Sequence, residues 1–204
     1  MVDQISWYLA RAGGMAAWWL TGISIIWGIL LGTRLLGRRP TGPWLLDVHR
    51  FAGGLAVVFS ILHLVGLWAD DYVEFGPAEL FIPMASTWRP GAVAWGVVAF
   101  WLLTALEVTS LLKRRVPERL WRWVHSMAAP VFVLGAIHGL QAGSDVSNPV
   151  VWWSGAALVT AVLGLLGFRI ATIGVDIRPS SGAGVKRVRP RRPPQPVGDD
   201  RLPV

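Results

Sequence analysis

The stretch LLDVHRFAGGLAVVFSILHLVGLWA at residues 45–69 decides the fold, because it is apolar enough to cross a membrane and carries two histidines. After Arg50 no charged residue follows until Asp70. A helix needs about 20 apolar residues to cover the hydrocarbon of a bilayer. Because irregular backbone leaves polar groups unsatisfied in lipid, this stretch is predicted to be a transmembrane helix.

Four more charge-poor stretches of similar length lie along the chain. The sequence therefore predicts an all-α integral membrane protein, a five-helix transmembrane bundle occupying residues 1–174. The predicted spans are about 12–35, 46–69, 90–112, 120–143 and 148–170.

The composition excludes several classes of protein. Apolar residues make up 53% of the 204-residue chain and charged residues only 15%, against about 25% charged in an average soluble domain. This argues against a soluble cytosolic enzyme. The chain has no Cys, which excludes disulfides, Cys-ligated zinc, iron–sulfur clusters and thioether-bound haem.

The basic residues predict the orientation of the bundle. Seventeen of the 19 Lys and Arg residues fall on the side reached by the first and third connections and by the C-terminus. By the positive-inside rule this side is cytoplasmic, with the N-terminus outside. The net charge of +7 thus marks topology and gives no reason to expect a nucleic-acid partner. No cleaved signal peptide is expected, because residues 1–11 lack a basic start.

Residues 175–204 differ in kind, being rich in Pro and Arg without hydrophobic periodicity. They are predicted to form a disordered cytoplasmic tail. Two interpretations stay open: attraction to anionic lipid, or a solvated tail that only adds positive charge inside.

The four histidines form two depth-matched pairs. His49 and His63 lie 14 residues apart on the second span, and His125 and His138 lie 13 apart on the fourth. At 1.5 Å per residue these separations are about 21 Å and about 20 Å. The two spans run in the same direction, so His49 pairs with His125 near the inner face and His63 with His138 near the outer face.

Two histidines per site match the needs of a b-type haem, whose porphyrin supplies the other four nitrogens. Zinc would need three or four protein ligands. The alternative is that these histidines serve hydrogen bonding or proton relay. A step of 13 residues turns His125 and His138 about 140° apart on an ideal helix, which a kink at Pro130 would correct.

Other residues give weaker signals. Arg50 and Arg122, with Arg119 nearby, would neutralise haem propionates, or would serve only topology. Glu107 would bind a proton or a quinol, or snorkel toward the surface. Several glycines lie beside the histidines and would admit a flat macrocycle or close helix packing. These glycines are Gly53, Gly54, Gly66, Gly135 and Gly139.

Four segments together resemble bacterial ferric reductase-like transmembrane proteins. That group is related to the membrane domains of ferric reductases and NADPH oxidases, and to the haem subunit of a periplasmic methionine-sulfoxide reductase. The segments are WYLARAGGMAAWWLTG at 7–22, LLDVHRFAGGLAVVFSILHL at 45–64, PMASTWRPGAVAWG at 83–96 and EVTSLLKRRVPERLWRWVHSMAAPVFVLGAIHGLQAGSD at 107–145.

The resemblance implies a multi-pass protein of the bacterial inner membrane that holds two stacked b-type haems. It implies ligation by His49 with His125 and by His63 with His138, and electron flow outward. The larger relatives continue into flavin and nicotinamide domains, whereas here about 30 residues follow the fifth span, without a phosphate-binding glycine loop. FAD or FMN and NAD(P)H are therefore expected only through a partner.

Three functions remain as hypotheses. The first is electron transfer from a cytoplasmic flavoprotein reductase or quinol, through both haems, to an external acceptor such as ferric iron. The second is a non-enzymatic haem-binding membrane anchor that feeds a separate partner oxidoreductase. The third is a haem-free carrier that uses the histidines and Glu107 as a proton relay. Whether the chain is itself an enzyme stays open.

Overall fold

The computed structural model describes residues 2–33, 42–70 and 73–172, and these residues form helices and connections without any strand. The predicted tail at 175–204 lies outside the described residues. The helices are α1 (Val2–Thr33), α2 (Gly42–Trp68), α3 (Pro77–Phe81), α4 (Pro90–Leu111), α5 (Glu118–Ser126), α6 (Ala128–Ala142) and α7 (Pro149–Thr172).

Five segments of the described chain are long and apolar enough to cross a membrane, which confirms the predicted all-α, five-span architecture. Large apolar side chains face outward, such as Phe51, Val58, Ile61 and Val65 along one face of α2. Such a face suits lipid rather than water. The spans are Gln4–Thr33, Pro43–Trp68, Pro90–Leu111, Glu118–Ala142 and Pro149–Thr172.

Helix α1 begins at Val2, well before the charge-free stretch that starts after Arg11. It can do so because Arg11 finds a partner within the fold. Its guanidinium pairs with Asp145, in the connection between α6 and α7. The same guanidinium lies 4.5 Å from the centre of the Trp7 ring. The pair ties the first helix to the connection that precedes the last span.

The fourth span is broken rather than continuous. Helix α5 ends at Ser126 and α6 begins at Ala128, with Met127 as a turn between them. Pro130 explains the position of the break, because proline lacks an N–H and its ring collides with the carbonyl four residues earlier. That carbonyl belongs to Ser126, the last residue of α5.

Four spans form the part of the bundle that carries the histidines. Helices α1 and α4 each pack against both α2 and α6, so α2 and α6 face each other across the space between them. Helix α7 packs on α1, and the core shared by α1, α6 and α7 is apolar. It consists of Ile25, Ile29, Phe132, Leu158 and Val162.

Glycines allow α1 and α2 to approach closely. A Cβ atom at Gly13 would lie 2.9 Å from the backbone nitrogen of His63, and one at Gly66 would overlap the backbone of Ala10. Small residues at contact points let helix backbones meet in membranes. Helix α1 therefore packs in close backbone contact with α2 near His63.

Candidate functional site

The structure brings the four histidines together as two pairs. The ring centres of His63 on α2 and His138 on α6 are 6.2 Å apart, with their planes inclined by 74°. Those of His49 on α2 and His125 on α5 are 5.8 Å apart and inclined by 79°. We call His63–His138 the N-side pair, after the end of the bundle where α1 begins. His49–His125 is the C-side pair.

The spacing within each pair suits two imidazoles that share one metal ion. Two metal–nitrogen bonds of about 2 Å, plus the distance from each nitrogen to its ring centre, give a separation of about 6 Å. Within the described residues, no group of three or more His, Cys, Asp or Glu residues could hold a metal ion. Each pair thus offers two imidazole ligands, a number that suits a haem better than zinc.

Three of the four imidazoles are held through Nδ1 by a backbone carbonyl. His63 Nδ1 donates to the Ala10 carbonyl at 2.5 Å, and His138 Nδ1 donates to Ala92 at 2.8 Å. His49 Nδ1 donates to the Ser24 carbonyl, also at 2.8 Å. A carbonyl oxygen only accepts, so the proton lies on Nδ1 and the Nε2 lone pair is left for a metal.

The hydroxyl of Ser24 adds to the support of His49. Its Oγ lies 3.0 Å from His49 Nδ1 and donates to the backbone carbonyl of His49 at 3.2 Å. Glu107 of α4 reaches the same region, because a Cβ at Gly53 would lie 3.5 Å from Glu107 Oε2 and 3.7 Å from Ser24 Oγ. The carboxyl therefore faces the bundle beside the C-side pair.

His125 is held differently from the other three histidines. Its Nδ1 is buried without a hydrogen-bond partner among the described residues. Its ring stacks on Trp121, with ring centres 4.8 Å apart and planes inclined by 18°. Lys113 Nζ lies 3.9 Å from the centre of the Trp121 ring. Stacking therefore replaces the carbonyl as the support of this imidazole.

The N-side pair borders a large, mostly apolar cavity of about 650 Å³. This volume lies within the range of about 300–1,000 Å³ that is usual for ligand pockets. His63 and His138 line the cavity, and so do Arg11 and Asp145. Trp18 lines it too and stacks on the buried ring of Phe132 at 5.0 Å. The cavity is roomy and apolar enough to admit a flat cofactor between the helices.

Arg50 and Arg122, the predicted partners of haem propionates, make no contact with the histidines among the interactions described for these residues. Arg50 lies on the exposed surface of α2. Arg122 is exposed on α5 and pairs with Glu118 at 3.7 Å. Two basic side chains that do act electrostatically on His125, besides the ring of His49, are Lys113 and Arg169. Sequence reasoning missed both, because neither adjoins a histidine in the chain.

The glycines that face the imidazoles were also missed. Gly14 lies against His63, Gly28 against His49 and Gly96 against His138. All three lie on helices that carry no histidine, whereas Gly54 and Gly139, beside the histidines in sequence, face open space. The signal was a glycine four residues after Ala10, Ser24 and Ala92, but the sequence alone does not identify these as acceptors.

Comparisons with known proteins agree with this architecture. The family model described as ferric reductase like transmembrane component matches residues 13–136. A protein-methionine-sulfoxide reductase heme-binding subunit MsrQ from Herminiimonas arsenicoxydans is 28% identical over 133 residues, covering 62% of this chain and 59% of the relative. The protein of the same name from Ralstonia nicotianae is 29% identical over 160 residues, covering 72% and 66%.

The chain thus spans about three fifths of the length of these curated relatives. No solved structure matches it. The family model covers more than half of the chain, including α2 with both of its histidines and α5 with His125. The chain belongs to the family of ferric reductase-like transmembrane components.

Proposed function

We propose that this protein is a haem-carrying membrane subunit that passes electrons to a separate partner oxidoreductase. The observation that carries the proposal is that the four histidines form two facing pairs. Their ring centres are 5.8 Å apart in one pair and 6.2 Å apart in the other. The names of its relatives, heme-binding subunits of a protein-methionine-sulfoxide reductase, favour this role over an independent enzyme.

Two b-type haems fit the site, one held by His63 with His138 and the other by His49 with His125. When bound, each supplies a centre that accepts and releases one electron at a time. The chain's own residues orient the ligands. The carbonyls of Ala10, Ser24 and Ala92 keep the proton on Nδ1, so that Nε2 is available in each case.

The charge distribution supports an orientation of the bundle, and with it a proposed direction of electron transfer. The described basic residues cluster on the C side of the bundle, while Asp70, Glu74, Glu79 and Asp145 lie on the N side. The positive-inside rule makes the C side cytoplasmic. Electrons would enter at the C-side pair, from a flavoprotein reductase that uses FAD or FMN and NAD(P)H, or from a quinol. They would leave from the N-side pair to an external oxidoreductase.

Direct reduction of ferric iron is the second candidate function, favoured by the family to which the chain belongs. The two functions differ in the acceptor that reoxidises the protein. A subunit requires its partner enzyme for fast turnover, whereas a ferric reductase would pass electrons to small ferric chelates.

Haem content and reoxidation test the proposal together. We expect protein from haem-replete cells to carry about two haems per chain and to show a reducible b-type spectrum. A soluble methionine-sulfoxide reductase supplied with methionine sulfoxide, the terminal oxidant, should reoxidise the reduced protein faster than ferric citrate does. Faster reoxidation by ferric citrate would favour the ferric reductase function, and a colourless protein would overturn the haem assignment.

A further inference from the structure

Each carbonyl that receives an imidazole lies four residues before a glycine on the same helix. The helices concerned are α1 and α4, which flank α2 and α6, the helices that bear the three histidines in question. The acceptor and glycine pairs are Ala10 with Gly14, Ser24 with Gly28, and Ala92 with Gly96. The same arrangement therefore occurs three times in one chain.

Helix geometry explains the spacing of four. The carbonyl of residue i points along the helix toward the N–H of residue i+4. Side chains tilt toward the helix N-terminus, so the side chain of residue i+4 covers the turn that ends in this carbonyl. Glycine at i+4 leaves the most room beside the carbonyl for a second donor that approaches from the side, such as a ring N–H from another helix.

The distances from a Cβ atom placed at each glycine show that a side chain there would crowd the facing imidazole. A Cβ at Gly96 would lie 2.8 Å from both Nδ1 and Cε1 of His138. A Cβ at Gly14 would lie 3.0 Å from His63 Nδ1, and one at Gly28 would lie 3.2 Å from His49 Cε1. The imidazole ring is rigid, so a methyl group at these distances would shift the ring or its helix and would lengthen the hydrogen bond from Nδ1 to the carbonyl.

We propose that Gly14, Gly28 and Gly96 are positioning residues, whose missing side chains let the Nδ1–H groups of His63, His49 and His138 reach backbone carbonyls. This inference rests on the proposed function where it concerns haem, and on the structure alone where it concerns the imidazoles. The three glycines set the orientation and proton position of three ligands. His125 is the internal contrast, because its Nδ1 has no such acceptor among the described residues.

The chain offers a matched control for Gly96, which has the least space of the three glycines. Gly91 and Gly96 both belong to α4, but a Cβ at Gly91 would meet nothing within 4 Å. Gly91→Ala and Gly96→Ala thus make the same chemical change in the same helix. Only Gly96→Ala should displace an imidazole.

Haem binding and the haem spectra form the first test. Loss of a partner that orients a metal ligand costs about 10- to 100-fold in affinity, so Gly96→Ala should lose the N-side haem and keep the C-side haem.

Gly28→Ala, with more room, should retain both haems but raise the C-side midpoint potential, because a less basic imidazole stabilises ferric iron less. It should also change the low-spin ferric resonance of that haem. Gly91→Ala should match the unmodified protein in each measurement.

The second test does not depend on haem. In haem-free protein with ¹⁵N-labelled histidine, His138 should show a slowly exchanging Nδ1 proton that is retained in Gly91→Ala. Gly28→Ala should make the corresponding proton of His49 exchange faster, because its hydrogen bond is lengthened, even if Gly96→Ala fails to fold. If the unmodified protein carries no haem, the proposed function fails, while these proton signals still decide the role of the glycines. Unchanged proton signals, or haem properties of the glycine variants equal to those of Gly91→Ala, would overturn the inference.

Discussion

The N-side and C-side pairs use the same residue types but are supported in different ways. Both imidazoles of the N-side pair donate to carbonyls, and they border a large apolar cavity. In the C-side pair only His49 has a carbonyl acceptor, while His125 relies on the ring of Trp121. Equal donor sets therefore need not give equal sites, because the residues around a ligand decide how firmly it is held.

The difference has a structural origin in the fourth span. The break at Met127 separates His125 on α5 from His138 on α6. His138 lies in a helix that packs along α4 and α1, whereas α5 is short and contacts mainly the end of α4 and the start of α6. His125 thus lies where fewer backbone carbonyls of neighbouring helices can reach it.

The largest effect is expected from removing one ligand of each pair in turn. His63→Ala should abolish the N-side haem and leave the C-side haem, and His49→Ala should do the reverse. Haem content per chain, measured on folded and monodisperse protein, should fall by about half in each variant. Loss of both haems from either single change would contradict the independence of the two sites.

The next largest effect concerns the ion pair at the N-side cavity. Arg11→Ala leaves the carboxylate of Asp145 without this partner, in a position where the side chain is only 10% exposed. We expect the free energy of unfolding to fall by about 1.5–3 kcal/mol, measured by denaturant titration in detergent. The N-side haem should dissociate faster than the C-side haem.

The double variant provides the control for the ion pair. If the two groups act together, Arg11→Ala combined with Asp145→Ala should cost less than the sum of the single changes. Strictly additive effects would mean that the contact contributes little.

A smaller effect is expected at Trp121, the support of His125. Trp121→Ala removes a stacked ring, which is worth about 0.5–1.5 kcal/mol beyond its buried area. The C-side haem should then be lost at lower denaturant concentration, while the N-side haem is unaffected. Trp121→Phe keeps an aromatic ring in place and should restore most of the affinity. Equal loss in both variants would show that stacking is not the support.

The smallest effect is expected from Ser24→Ala. This change removes the hydroxyl near His49 but keeps the backbone carbonyl that accepts from Nδ1. A lost neutral hydrogen bond is worth about 0.5–1.5 kcal/mol, so the C-side midpoint potential should shift only slightly and both haems should stay bound. A shift as large as that of Gly28→Ala would mean that the hydroxyl, not the carbonyl, positions the ring.

Much of the fold could be predicted from the sequence, because span length and charge are local properties. The runs between Arg50 and Asp70, and between Arg122 and Asp145, already indicate membrane helices. The depth of each histidine follows from its place along a helix. Pro130 also marked the region where the fourth span breaks.

The surroundings of the histidines could not be predicted, because they depend on which helices are neighbours. Gly14 and Gly28 belong to a helix without histidine, so nothing in the sequence linked them to His63 and His49. Lys113 reaches Trp121 only because the chain turns back after α4. The roles predicted for Arg50 and Arg122 stay predictions.

The central claim is that each pair of facing histidines holds one haem. The most direct measurement is the electron paramagnetic resonance spectrum of the oxidised protein, recorded together with its haem content. The account predicts about two haems per chain and two low-spin ferric signals with two histidine ligands each, of which His63→Ala removes one and His49→Ala the other. A single signal lost equally in both variants, or a high-spin signal from a haem with one ligand, would contradict it.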